Sequence, residues 1–334
     1  MSVAARQGQP APTNAAFRAK RVAVVPCPAL GDVTLYLHLA WIFHRSGAQV
    51  SFHSGLLVSA QAYFPWIELK DDAGLSLSQL AATHDLVVSY VNWLHRTGEA
   101  IDDVLQAPNV AYVTAKKLPR SLALDGRAVT VAGMTFAGAC RPLCLQSRTG
   151  WSMVQWVDHY AREVFGLSCD EPVQVHLPTA GQATRPCVSI FPTTPEPSKN
   201  YSLHGFIRLA RRLERLGWRV EFVCMPVEQA QIEAAARPFP VRSFDSIKHL
   251  MDHLAGCEVV ISNDSGGGHL GSLMGLRTFT ITRKRPDFVW RPGFNPHNQV
   301  IAPLLTFKVR GRHVWRPFVP LWRIPSALAS RASR

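Results

Sequence analysis

The chain has no apolar run approaching the ~18 residues that a membrane-spanning helix requires. Its most apolar stretch, LYLHLAWIF at 35–43, is half that length and carries His38. It is therefore not read as an integral membrane protein. Acidic residues are also scarce, with 23 Asp and Glu against 36 Lys and Arg, a net charge of +13 and a pI near 9.8. Such a balance predicts acidic partners: nucleic acid, an anionic membrane surface or phosphorylated substrates. The positive charge is dispersed, as in ARRLERLGWR and KVRGRHVWR, and no zinc-finger, RNA-binding aromatic or basic-zipper pattern occurs. Nucleic acid therefore ranks low as a partner. The seven cysteines are odd in number and scattered; Cys140 and Cys144 stand four apart, but no second pair completes a zinc spacing. They read as reduced thiols in a cytosolic protein. The first 18 residues lack the apolar segment of a secretory signal and read as a disordered tail.

What is present is an ordinary globular composition, 47% hydrophobic and 18% charged over 334 residues, enough for two domains with separate cores. From residue 21 strand-like and helix-like segments alternate: RVAVV, a helix-length apolar stretch ending at Gly47, QVSFH, DLVVSYV and NVAYVT. Residues 116–150 do not follow the pattern, and WSMVQWVDHYAREVFG at 151–166 reads as a helix closing the first half. A Pro-, Thr- and Gly-containing linker at 170–186 follows, and the alternation restarts with CVSIF, WRVEFVC, VRSF, EVVIS and RTFTIT separated by helices. In the first of these helices Ser202 is a candidate N-cap, Leu203, Phe206, Ala210 and Leu213 form an apolar stripe, and Gly217 closes the helix. Two such runs imply two Rossmann-like domains with parallel sheets. The boundaries read as 19–175 and 186–310, with 311–334 expected to pack back on the first domain.

Ligands of open α/β sheets bind beyond the carboxyl ends of the strands, and three loops lie there. In PALGDV (28–33) Asp32 sits at a helix start, where an N-cap role is the leading reading of that loop alone. In FPTTPEPSK (191–199) two hydroxyls, Thr193 and Thr194, precede Lys199, which could neutralise a phosphate. In NDSGGGHLGSLMG (263–275) three glycines follow a buried strand, with Asp264 and His269 at the rim. This is neither a P-loop nor a dinucleotide fingerprint. The surplus glycine predicts a close approach to backbone, suited to a pyrophosphate at a helix N-terminus.

The combination of D-S-G-x-x-H-L after an apolar strand, LGDV after the first strand and K-N-Y-S-L-H-G-F leading into LARRL resembles glycosyltransferase family 9, the ADP-heptose:lipopolysaccharide heptosyltransferases. The resemblance covers roughly residues 21–302, with 116–186 little supported. It implies the GT-B fold, two Rossmann-like domains facing a central cleft, with the donor held mainly by the second. It further implies an inverting transfer of a heptose-like sugar from a nucleotide diphosphate, ADP-linked, to a lipopolysaccharide or surface-glycan acceptor. On this resemblance Asp32 becomes the general base, while Thr193, Thr194, Lys199, Asp264, Ser265, Gly266, Gly268 and His269 hold the donor. Arg283, Lys284 and Trp290, in a basic and aromatic segment, are further candidate contacts with donor or acceptor. No D-x-D sequence occurs, so no metal requirement and no cofactor are expected, with Lys199 and the helix N-terminus compensating the diphosphate. The implied location is the cytoplasmic face of a bacterial inner membrane, with peripheral contact to anionic lipid. Two departures bear on the donor: Gly267 stands where the family often has Pro, and the spacing from the threonines to Lys199 includes two prolines. The alternatives are another nucleotide sugar or a protein acceptor on the same fold, or a catalytically silent sugar-nucleotide-binding protein.

Overall fold

A computed structural model describes residues 14–177 and 186–329. The first domain starts with β1 (Arg21–Val25), α1 (Leu30–Arg45), β2 (Gln49–His53), α2 (Gly55–Val58) and β3 (Glu68–Lys70). It continues with α3 (Leu77–Thr83), β4 (Leu86–Tyr90), α4 (Ile101–Gln106) and β5 (Val110–Thr114). The stretch 116–150 holds a 3-10 turn, a small antiparallel hairpin of β6 (Val129–Val131) and β7 (Met134–Phe136), and β8 (Arg141–Pro142). Six strands form one parallel sheet in the order β3-β2-β1-β4-β5-β8. The Val-rich strands are apolar on consecutive residues because both sheet faces are covered. Helix α5 (Met153–Phe165) follows, opened by a Ser152–Gln155 capping box and closed by Gly166 at φ +66°.

The second domain repeats the plan with β9 (Cys187–Phe191), α6 (Leu203–Arg215), β10 (Arg219–Val223), α7 (Gln229–Ala236) and β11 (Val241–Arg242). After these come α8 (Ile247–Ala255), β12 (Val259–Asn263), α9 (Gly266–Leu273), β13 (Arg277–Ile281) and β14 (Asn298–Ile301). Its sheet is parallel throughout, in the order β11-β10-β9-β12-β13-β14. Ser202 does cap α6, its side chain accepting from the Gly205 N–H, and Gly217 follows the helix at φ +87°. The chain ends in a hairpin of β15 (Phe307–Val309) and β16 (Arg312–Val314) and the short α10 (Arg323–Ala329).

Three expectations change here. The cores are not wholly separate: each domain keeps a buried cluster of its own, but Phe43 and Phe165 of the first domain share a third with Met251, Leu254, Leu270 and Leu273 of the second. Helix α1 lies in that shared layer between α5 and α9, which is why every residue from Val33 to Phe43 is buried. Second, the C-terminal segment does not return to the first domain. Trp315, Val319, Ile324 and Leu328 join the second core with Phe206, Leu213 and Ile301, because their apolar side chains are buried against that domain's own sheet and helix α6. Third, the tail expected over 1–18 falls largely on residues outside the described ones, but Phe17 is fully buried against Phe43, Phe136 and Phe165. The middle of the linker, 178–185, also lies outside the described residues.

Candidate active site

The carboxyl ends of β1 and β12 meet across the domain boundary. Helix α1 leaves β1 and α9 leaves β12, and the first turns of the two helices touch. A Cβ added to Gly31 would stand 3.4 Å from the His269 ring, and one added to Gly266 would lie 2.8 Å from Leu30 Cβ and 3.2 Å from the Gly31 nitrogen. Two motifs more than two hundred residues apart thus form one surface. The main-chain bond from Met153 N–H to Val289 O (2.8 Å), the Arg291 guanidinium on Gly150 O (2.6 Å) and the Tyr63 hydroxyl on Asp252 (2.6 Å) hold the domains in this register.

Asp32 is not the N-cap. That position belongs to Ala29, and Asp32 stands in the first turn of α1 without a capping bond. Burial raises its carboxyl to about 6, opposed only by its own backbone N–H. A carboxylate kept half-desolvated at a strand end is suited to take a proton near neutral pH. Around it lie Cys27 and Tyr90, whose own ionisation its charge disfavours, and Asn92 donates to the Tyr90 hydroxyl at 2.8 Å.

The glycine motif is a helix from its start: α9 begins at Gly266, with Ser265 at its N-cap. The approaches that demand glycine come from the protein. A Cβ on Gly267 would lie 2.6 Å from the Phe191 ring, and one on Gly268 would lie 2.5 Å from Ser262 Oγ. Gly268 is buried against β12 and does not face the cleft, so the close-approach argument holds for packing rather than for a ligand at that position. Gly266, half-exposed, stays at the rim with Asp264 and Ser265. The Ser265 hydroxyl is buried and makes no hydrogen bond among the described residues. His269 is 4% exposed; its Nε2 donates to the Trp290 carbonyl at 3.1 Å, and its Nδ1 has no partner among the described residues. Burial holds this imidazole neutral, so Nδ1 is a bare acceptor.

The donor-side loop is internally braced. Thr193 donates to Glu228 at 2.8 Å, and Thr194 lies 2.8 Å from both the Glu196 carbonyl and Asn200 Oδ1. Lys199 pairs with Glu196 at 3.0 Å and stays partly exposed, free to exchange that partner for an anion. Lys284 pairs at 2.6 Å with Asp264, whose side chain is only 8% exposed, and lies over the Phe288 ring. Arg283 is close enough to lower the Glu196 carboxyl together with Ser198 and Lys199, which act more strongly. Trp290 packs half-buried against the shared core, its carbonyl occupied by His269.

Sequence reading missed Tyr90, Asn92 and Glu228. Tyr90 ends β4, and Asn92 and Glu228 follow the carboxyl ends of β4 and β10, so the positional rule for open sheets would have pointed to both segments. A cavity of about 810 Å³ lined by Arg21, Trp66, Lys70 and His84 opens at the opposite, amino-terminal end of the first sheet. It lies far from the motifs, which the domain contact itself brings together.

Comparison with known proteins agrees with this geometry. Residues 153–302 match the model of glycosyltransferase family 9 (heptosyltransferase). None of the curated proteins matches the chain in sequence. Among solved structures, the glycosyl transferase family 9 protein of Veillonella parvula DSM 2008 aligns over 94% of this chain and 97% of its own, with TM-score 0.66 and 15% identity. The E. coli heptosyltransferase WaaC with ADP aligns over 93% and 99%, with TM-score 0.62 and 14% identity. The E. coli ADP-heptose lps heptosyltransferase II aligns over 94% and 100%, with TM-score 0.57 and 15% identity. The chain thus has the GT-B fold of two parallel-sheet domains, and its residues 153–302 are similar to glycosyltransferase family 9 (heptosyltransferase).

Proposed function

We propose that the protein is an inverting glycosyltransferase that moves a heptose-like sugar from an ADP-linked donor to a surface-glycan acceptor of the lipopolysaccharide type. The observation that carries this reading is the contact of α1 and α9, which sets a desolvated carboxylate beside a helix N-terminus suited to a diphosphate. Asp32 takes the proton of an acceptor hydroxyl as that oxygen attacks the anomeric carbon from the face opposite the leaving group. The bond to the diphosphate breaks, and its charge passes to Lys199, Lys284 and the first N–H groups of α9. Ser265 Oγ and His269 Nδ1, both without partners among the described residues, serve the donor: the serine hydroxyl donates to a phosphate oxygen and Nδ1 accepts from a sugar hydroxyl. Positioned base catalysis supplies about 3–5 kcal/mol, and orientation and leaving-group stabilisation supply the rest. Charge compensation from lysines and main chain makes the transfer independent of a divalent ion, so activity persists with a chelator. The choice of ADP follows the E. coli relative captured with that nucleotide. A partner at the inner face of a membrane fits the net charge of +13.

The test is thermal stabilisation by ADP, GDP, UDP and their sugars in chelator, followed by turnover of Asp32→Asn. Stabilisation by ADP compounds that Lys199→Ala abolishes, with turnover lost and donor affinity kept in Asp32→Asn, supports the reading. Full turnover in Asp32→Asn removes the base from the mechanism, and stabilisation by a different base reassigns the donor.

A further inference from the structure

The structure assigns the β15–β16 hairpin as the segment that docks the protein on an anionic bilayer. This rests on the proposed transfer to a lipid-linked acceptor only for its purpose, not for its physics. β14 runs parallel to β13 and ends at Ile301, so the chain leaves the second sheet at its carboxyl end, the end that carries the donor loop. Arg316, just past the hairpin, donates to the Asn200 carbonyl at 2.7 Å and ties the hairpin's base to the loop bearing Lys199. The hairpin thus stands at the rim of the candidate active site.

Its surface is not that of an ordinary exposed turn. Leu304 (62%), Leu305 (52%), Phe307 (42%) and Val309 (48%) are all open, and Trp322 is open nearby at 51%. Single exposed apolar residues need no explanation, but this cluster does. In the ladder Phe307 pairs with Val314 and Val309 with Arg312, placing these four side chains on one face, while Lys308 and His313 share the other. The turn, Arg310 at φ +48° and Gly311 at φ +77°, has the two-residue form that matches strand twist and lifts a tight tip off the domain. Lys308, Arg310 and Arg312 surround that tip. After Asp287 the chain carries eight Lys and Arg residues and no acid, and among the described residues Lys308, Arg310 and Arg312 take part in none of the ion pairs. Open aliphatic and aromatic side chains ringed by unpaired cations suit the boundary between acyl chains and anionic headgroups. A second copy pairing on the β-edge would bring like charges together, which disfavours it as the occupant.

The experiment uses the full chain with vesicles of phosphatidylcholine alone or mixed with phosphatidylglycerol, read by flotation and by amide exchange. Flotation with the mixed vesicles only, with slowed exchange over 304–314, is expected. Arg310→Ser/Arg312→Ser should lower partitioning about thirtyfold, and Phe307→Ser/Val309→Ser about tenfold. Both pairs lie outside the donor and base sites, so ADP stabilisation should be unchanged; its absence in every protein would sink the transferase reading and leave the docking result standing. No flotation, protection of another segment alone, or hairpin protection that rises with protein concentration in the absence of lipid would each overturn the assignment.

Discussion

Gly31 and His269 face each other across the domain boundary at a separation that just admits a methyl group, with 3.4 Å from the added carbon to the ring. Gly266, on the same contact, has no such allowance, because its added carbon would meet Leu30 at 2.8 Å and the Gly31 backbone at 3.2 Å. Gly31→Ala should therefore be mild. Gly266→Ala should cost about 1–3 kcal/mol through overpacking and raise the donor KM by displacing α9 from α1. Thermal unfolding and donor titration of both variants check the pair; equal behaviour would mean that the domains meet differently.

Asp32 carries a pH signature. Its carboxyl is raised from 3.8 to about 6 by burial, so between these values the folded state binds more proton than the unfolded one. Its contribution to stability is fully present below about pH 3.8 and is lost as pH rises through about 6. Asp32→Asn should thus stabilise the protein near pH 7 by at most about 3 kcal/mol, with no gain at low pH. With Asp32 as the proposed base, the same ionisation predicts an acid limb of kcat/KM near pH 6. Denaturant midpoints and a rate profile across that range give the two readings independently.

Asp264 and Lys284 form a pair with one buried partner. Lys284→Met strands the carboxylate and should cost about 3–5 kcal/mol, while adding Asp264→Asn should recover most of it. Donor affinity should stay low in the double variant, because the lysine is still missing. Recovery of affinity along with stability would assign Lys284 a purely structural place.

His53, the last residue of β2, predicts acid sensitivity in the first domain. Burial, with His84 and Lys70 nearby, lowers its imidazole to about 4. The ring nitrogen shares Ser51 Oγ with His84, each at 3.1 Å. The unfolded chain binds a proton at about pH 6.5 that the folded chain refuses until about 4, so stability falls as pH drops through that window. The loss reaches about 3 kcal/mol. His53→Gln should flatten this slope in denaturant titrations without altering donor binding.

How much of this was legible in sequence follows from what each feature depends on. The long strands were legible because burial on both sheet faces writes itself as consecutive Val, Ile and Phe, as in β1, β4 and β12. The stripe and caps of α6 were legible because they are local. β3 and β8, at two to three residues, are too short to carry a period, and they take their place only by pairing with β2 and β5. The order of the three motif loops was visible, but not their partners: Thr193 with Glu228 and Lys284 with Asp264 are long-range choices. The triple glycine predicts closeness, and Phe191 and Ser262 are close neighbours that the motif alone does not show, since their steric demand leaves no trace in it.

The abutting first turns of α1 and α9 have a consequence for how the two domains would hold a donor. Each helix presents its positive pole, about half an elementary charge, and the two poles are pressed together where the Leu30, Gly31 and Gly266 backbones touch. Left alone they repel, and the apolar layer beneath them, with the hydrogen bonds of Met153, Arg291 and Tyr63, holds the boundary shut. A diphosphate seated between them would turn that repulsion into a shared attraction. The donor would then act as a clasp whose departure, as a nucleotide, loosens the two halves and lets the finished glycan go.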